Sequence, residues 1–216
     1  MLVARTHVTV ADPSTLAAKM CDHFSEGGAF ITKEGGAWVV TFDFGAGKLT
    51  AAADGLTMVA EADDAVEMYN LRWMLAEHLL EFLDGPEPDF IWEGDGSEMS
   101  RPPYFRLMQV AAVEDVSPHM LRLRLRGDDL DRFATDEELH IKLYIPRSTN
   151  VEPEWPSVRP NGIPHLPSGP GAAIMRRYTI RAIDPEAGTV DVDFVIHDDA
   201  GPGSSFAANA RVGDVV

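Results

Sequence analysis

The densest chemistry in the chain lies in one short run, Arg176-Arg177-Tyr178-Thr179-Ile180-Arg181. Three arginines in a strand of an acidic protein call for a reason. One reading is an exposed edge strand whose arginines balance local carboxylates. The other is an anion-binding strand, because guanidinium forks match phosphate oxygens, with the ring of Tyr178 offering a flat apolar surface beside them. A second signal follows downstream. Gly201-Pro202-Gly203-Ser204-Ser205 runs into Phe206-Ala207-Ala208-Asn209-Ala210, a turn feeding a short helix with Ser204 or Ser205 in its first turn. The first N–H groups of a helix lack partners and its dipole end is positive, so such a start can take phosphate. Taken alone that signal is weak, since most such turns are only turns. Together the two point to a nucleotide or flavin site. His197 ends a strand just before the turn, in position to shape that pocket.

Other chemistries find less support. His23 and His78 sit on two expected helices and could approach each other, but as surface or helix-packing residues. His119, His140, His165 and His197 share no ligand spacing, so no metal is expected. Cys21 lies mid-helix on the face of Ala17 and Phe24, which suits a small buried apolar residue rather than a reactive thiol. Ser14, Ser117 and Ser204 form no nucleophile set, and no G-x-S-x-G elbow is present. The runs Asp128-Asp129 and Asp136-Glu137-Glu138 read as solvated turns.

Composition narrows the partners. The 216 residues carry 18 Lys and Arg against 35 Asp and Glu, a net charge of -17. Such a chain repels nucleic acid and anionic membranes, because phosphate binding is driven by Lys and Arg. A single cysteine forms no internal disulfide, no apolar run is long enough for membrane insertion, and Met1-Leu2-Val3-Ala4-Arg5 lacks a signal pattern. These points favour a reducing cytoplasm. The sequence leaves the oligomeric state open.

The elements that must position these residues divide into two groups. Residues 1–97 hold 5 basic and 17 acidic side chains, the remainder 13 and 18. Gly and Pro punctuate Asp84-Gly85-Pro86-Glu87-Pro88, and the composition changes again through Glu93–Pro103. We place a small α+β domain at 1–90, a linker at 91–101 and a second domain at 102–216. In the first, Ala4–Val10 reads as a strand. Asp12-Pro13-Ser14 opens a helix with Leu16, Ala17, Met20, Cys21 and Phe24 at helical spacing. Four short strands follow, Phe30–Thr32, Trp38–Phe42, Lys48–Ala53 and Leu56–Ala60, separated by Gly-rich turns. Asp63-Asp64 opens a second helix. An antiparallel sheet covered by two helices buries this pattern. The second domain reads as nearly all β, with strands at Tyr104–Val113, His119–Arg126, His140–Ile145, Arg176–Ile183 and Thr189–His197. A Pro- and Gly-rich loop spans about 146–173. Antiparallel strands without intervening helices suggest a small Greek-key barrel.

The ordered set Arg176, Tyr178, Thr179 and Arg181, then Asp191–His197, then Gly201, Pro202 and Ser204, then Ala207, Ala210, Gly213 and Asp214, resembles the flavin-binding domain of the siderophore-interacting protein family. These are FAD-dependent ferric-siderophore reductases related in architecture to ferredoxin reductases. The strand His140–Pro146 and the Pro-rich loop also fit, and the likeness runs from about residue 102 to the last residue. The N-terminal segment is similar to a small uncharacterised domain family that can precede such modules.

The resemblance implies FAD lying across a barrel of the ferredoxin-reductase type. Tyr178 would pack against the isoalloxazine and Thr179 would lie near its reactive N5 edge, as the catalytic position. Arg176 and the turn ending in Ser204 would hold the pyrophosphate. Arg181 would act as a flavin-side or structural arginine, with His197, Gly201 and Pro202 completing the pocket. NAD(P)H would supply electrons in the complete enzyme and a ferric siderophore would receive them. The face of Arg122, Arg124 and Arg126 is either a solvent-facing strand edge or a contact for the anionic substrate or another domain. Two departures stand out. Phe206 replaces a frequent Trp, and Gly203 replaces an Ala, which is expected to make the turn more flexible. The family continues into a βαβ domain that binds NAD(P)H, and no G-x-G-x-x-G follows a strand here. The chain is therefore expected to be a C-terminally truncated piece of a longer reductase, without its own nicotinamide site. A non-enzymatic binding module with a structural barrel, or a general flavin reductase, are the alternatives.

Overall fold

The computed structural model describes residues 1–135, 139–147 and 151–216. The chain divides into two units: Met1–Tyr104 with Pro156–His165, and Phe105–Trp155 with Leu166–Val216. The run Asp136-Glu137-Glu138 lies outside the described residues.

The first unit is a six-stranded antiparallel sheet with two helices. Its elements are β1 (Leu2–Val8), α1 (Pro13–Glu26), β2 (Phe30–Glu34), β3 (Ala37–Phe42), β4 (Gly45–Ala52), β5 (Gly55–Ala62), α2 (Ala65–Phe82) and the two-residue β6 (Glu93–Gly94). The sheet order is β2-β3-β4-β5-β1-β6. Each helix starts on an aspartate. The Asp12 carboxylate accepts the N–H of Thr15, and Asp64 accepts those of Val66 and Glu67, satisfying donors a helix start leaves open. Leu16, Ala17, Met20, Cys21 and Phe24 form the buried face of α1 against Val40, Leu49, Met58 and the inner face of α2. Burial pushes the Cys21 thiol up to about 11, so it stays protonated at neutral pH. The His23 and His78 rings meet with centroids 4.9 Å apart, beside Phe24 and Phe82.

The stretch that sequence reading treats as one long loop carries order. It holds β10 (Ser157–Val158) paired with β11 (Pro164–His165). Ile163 packs on the first unit's core, the Trp92 N–H donates to the Pro160 carbonyl, and the Trp92 indole N–H donates to the Asn161 carbonyl. Loop composition hid this, because the contacts are long-range in sequence. Arg72 on α2 is 2% exposed and donates to the Gly96 carbonyl in the same region.

The second unit is built on β7 (Gln109–Ser117), β8 (Met120–Arg126), β9 (His140–Ile145), β12 (Ile174–Asp184), β13 (Thr189–Val195) and α3 (Pro202–Asn209). They form a five-stranded sheet in the order β7-β8-β13-β12-β9, antiparallel in every pairing. A closing pairing between β7 and β9 is not among those described. Val110, Leu123, Leu125, Leu143, Ile145, Ile180, Val192 and Phe194 fill the core, one face of each strand turning inward. Residues 213–216 pair along the start of β7, with reciprocal bonds between Met108 and Val216.

Two of the three arginines on the β8 face meet carboxylates. Register sets Arg124 opposite Asp191 and Arg122 opposite Asp193 on β13. Both pairs are two-pronged. Arg122 reaches Asp193 at 2.7 and 3.0 Å, and Arg124 reaches Asp191 at 2.8 and 2.8 Å. Arg126 stands opposite Thr189 and has no acid across from it.

Candidate functional site

The strand β12 is the spine of the site. One edge pairs with β9, setting Arg176 against Leu143, Arg177 against Lys142, Tyr178 against Ile141 and Thr179 against His140. The other edge pairs with β13, setting Ile180 against Val192 and Ala182 against Asp191. One residue too many lies between these last two pairs, so β12 bulges at Arg181. Bulges re-aim a side chain. Here the bulged guanidinium comes within 3.8 Å of the Asp193 carboxylate and stays 64% exposed.

Tyr178 turns inward. Its ring meets that of Phe194 with centroids 4.3 Å apart and planes tilted by 40°. Burial pushes the phenol pKa up, against a smaller opposing pull from Arg176. The tip of the ring lies against the start of α3, and a Cβ on Gly203 would collide with the Tyr178 hydroxyl oxygen. Gly203 is therefore a close-approach residue rather than a source of looseness in the turn. Its backbone is not in the left-handed region and it is buried.

The start of α3 is capped by Gly201 without any side-chain hydrogen bond, and Pro202 occupies the first helical position. Proline has no N–H, and the first backbone bond runs from Ser205 to the Gly201 carbonyl. The N–H groups of Gly203 and Ser204 are thus the helix's open donors. Ser204 is buried, and its hydroxyl oxygen accepts the His197 N–H at 3.1 Å, tying the segment after β13 to α3. Ser204 serves first as a clasp. Its hydroxyl hydrogen and backbone N–H remain the groups it can offer a ligand.

Arg176, Tyr178, Thr179, Arg181, His197, Gly201, Pro202 and Ser204 all line a single cleft of about 500 Å³. Arg177, Ile180, Asp193, Val195 and Gly203 complete it. Sequence reasoning did not single out Asp193 or Val195. The signal for Asp193 was present in the alternation Asp191, Asp193 opposite Arg124, Arg122, but needed the register to be read. Arg176 and Arg177 are exposed and make no ion pair among the described residues, and the Arg176 guanidinium donates only to its neighbour's carbonyl, Met175, at 2.8 Å. A cleft with two uncompensated guanidinium groups, open helix N–H groups and a ring edge offers an anion at one end and an aromatic body beside it. The donor set is of the kinds a flavin dinucleotide needs, cations and N–H groups for a diphosphate and an aromatic surface for a planar ring.

Residues 109–216 match the family described as the siderophore-interacting FAD-binding domain. Residues 5–93 match a family described as an uncharacterized protein conserved in bacteria. The chain is 30% identical over 119 residues to the ferric vibriobactin reductase of Vibrio cholerae, covering 51% of this chain and 40% of that protein. It is 44% identical over 102 residues to the mycobactin import ATP-binding/permease protein of Mycobacterium tuberculosis, covering 47% and 10%. Among solved structures, a siderophore utilization protein from T. fusca is 36% identical with a TM-score of 0.43, over 51% of this chain and 41% of that one. The siderophore-interacting protein SipS from Aeromonas hydrophila is 32% identical with a TM-score of 0.39, over 55% and 41%. The chain thus spans less than half the length of these relatives. Among the described residues, no helix is long and apolar enough to cross a membrane.

Proposed function

The chain belongs to the siderophore-interacting FAD-binding family, and from that premise we propose that its second unit is the FAD-holding, barrel-type part of a cytoplasmic ferric-siderophore reductase. The observation that carries the proposal is the convergence of Arg176, Tyr178, Thr179 and the start of α3 on one cleft. The chemistry that FAD supplies when bound is acceptance of a hydride from NAD(P)H and one-at-a-time donation of electrons to Fe(III) in the siderophore, which then releases iron as Fe(II).

The chain's own residues bind and orient. Arg176 and the N–H groups of Gly203 and Ser204 neutralise the diphosphate, and Arg177 adds a second positive charge. Tyr178 is held by Phe194 and Gly203, so its ring gives the flavin a fixed surface rather than a mobile one. Thr179 presents a hydroxyl at the reactive edge. Arg181, 3.8 Å from the Asp193 carboxylate, adds a flavin-side or structural cation to the cleft.

An absorption spectrum of the purified chain, followed by titration with FAD, tests the reading. Flavin bands that co-purify or saturate are expected. Arg176→Ala should weaken FAD affinity at least about tenfold, the effect of losing one charge-assisted hydrogen bond of about 1.5–3 kcal/mol. Unchanged flavin occupancy in that variant would remove Arg176 from the site. A chain that folds cooperatively yet takes up no FAD would favour the non-enzymatic alternative.

A further inference from the structure

The cleft that gathers the arginines also holds an acid. Among the described residues that line it, Asp193 is the only carboxylate. A carboxylate in that place opposes an anionic ligand and offers itself to the cleft's own guanidinium groups. Arg122 answers it from outside. It is not one of the lining residues, yet its Nε and a terminal nitrogen donate to the two Asp193 oxygens at 2.7 and 3.0 Å. We propose that Arg122 is a positioning residue for the site: by claiming both oxygens of Asp193 it stops that acid from tethering and neutralising Arg181, and so keeps a cation in the cleft for a phosphorylated cofactor. The proposal rests on the flavin reading above.

Strand register builds the arrangement. Glu114 on β7, Arg122 on β8 and Asp193 on β13 stand opposite one another in turn. The bulge in β12 brings Arg181 to the end of that row. Charge therefore alternates in sign across four strands, and the last member lies in the cleft. Asp193 Oδ2, which takes the longer of the two Arg122 bonds, is also the atom 3.8 Å from Arg181 Nε. That separation is beyond hydrogen-bonding reach, so Arg181 is attracted to the acid without being held by it. The Arg122 side is the opposite case. Its side chain and that of Asp193 are each 23% exposed, and the two-pronged geometry fixes both oxygens. The Arg122 guanidinium is held above its ordinary pKa first by those hydrogen bonds, against the pull of burial, and further by Asp193 and Glu114 through space.

A two-pronged pair carries no net charge, so its field falls off faster with distance than that of a lone carboxylate. Without Arg122, Arg181 is the cation left in an ion pair with Asp193 among the described residues. The acid then turns to it, a full negative charge faces the cleft, and Arg181 loses both its reach and its charge. Arg124, next along β8, is no substitute, because Asp191 takes it by the same two-pronged bond.

The experiment is FAD titration of the full chain, read by flavin fluorescence, at about 0.01 M and about 1 M salt, where the screening length falls from about 30 to about 3 Å. Arg122→Gln, which leaves Asp193 charged and unclaimed, should weaken FAD binding about three- to tenfold at low salt. The gap from the parent should close at high salt. Arg122→Gln combined with Asp193→Asn removes the carboxylate charge as well and should bind FAD as the parent does. Unchanged affinity in Arg122→Gln would overturn the proposal. So would a loss that is equal at both salts, or one that Asp193→Asn does not rescue, since either would make Arg122 a structural brace. All three results leave the flavin reading intact, whereas a parent chain that takes up no FAD at either salt would overturn both. If Arg122→Gln fails to fold, Asp193→Asn alone decides. With the Arg122 charge released it should bind FAD more tightly than the parent at low salt and equally at high salt. Unchanged or weaker binding at low salt would overturn the proposal.

Discussion

Gly203 carries more than a turn. Because the Tyr178 hydroxyl fills the space where a methyl group would stand, Gly203→Ala must move the ring or the helix start. Rigid backbone on the helix side leaves the ring to give way, off the Phe194 face that holds it. Gly203→Ala should therefore change the flavin surface without touching the arginines. FAD affinity should fall several-fold, with altered flavin fluorescence and an unchanged loss on Arg176→Ala added to it. A double-mutant cycle on the two positions checks this, and strong interaction between them would count against separate roles. The sequence marked Gly203 as a departure but could not say why it matters. Its neighbour in space is 25 positions away in sequence, and only the fold brings Tyr178 onto it.

At the scale of elements, β8 and β13 are joined by more than their backbone ladder. Arg124 holds the Asp191 carboxyl below the ordinary carboxylate range through its hydrogen bonds, and burial opposes it more weakly. A carboxylate with a depressed native pKa contributes stability that is full above its unfolded value of about 3.9 and is lost as pH falls through the native value. Asp191→Asn should thus lower the urea midpoint at pH 7. The gap from the parent should persist down to about pH 5 and narrow below about pH 4, where the parent's carboxylate also takes up a proton. Equal gaps at pH 7 and pH 3 would show that packing, not charge, is lost. The strands themselves were legible: strict alternation of Leu121, Leu123 and Leu125 with Arg122, Arg124 and Arg126 gave β8, and hydrophobic spacing with aspartate caps gave α1 and α2. Which partner an arginine on β8 would meet was not. A one-residue slip in register exchanges a paired face for an unpaired one, and local composition does not set register. The same limit hid β10 and β11, whose two-residue strands carry no periodicity to detect.

Among the described residues there are two hydrophobic cores, one in each unit. A ligand held only by the second unit stabilises that unit by mass action. At free FAD a hundredfold above Kd the gain is about 2.7 kcal/mol, which moves a transition of that size by on the order of 10 °C. Calorimetry with and without FAD should move one transition and leave the other in place. A single transition shifting as one would show that the units unfold together.

The first unit also borrows from later in the chain. Residues 156–165 give Trp92 two of its hydrogen-bond acceptors and give the core Ile163, yet they follow Tyr104 by more than fifty positions. On the ribosome, those contacts are still missing when the unit's own helices and main strands have emerged. Translation at about 5–20 residues per second leaves it waiting several seconds for its final hairpin, while strands of the second unit are already leaving the exit tunnel. The part made first therefore receives its last contacts only after much of its neighbour has been synthesised.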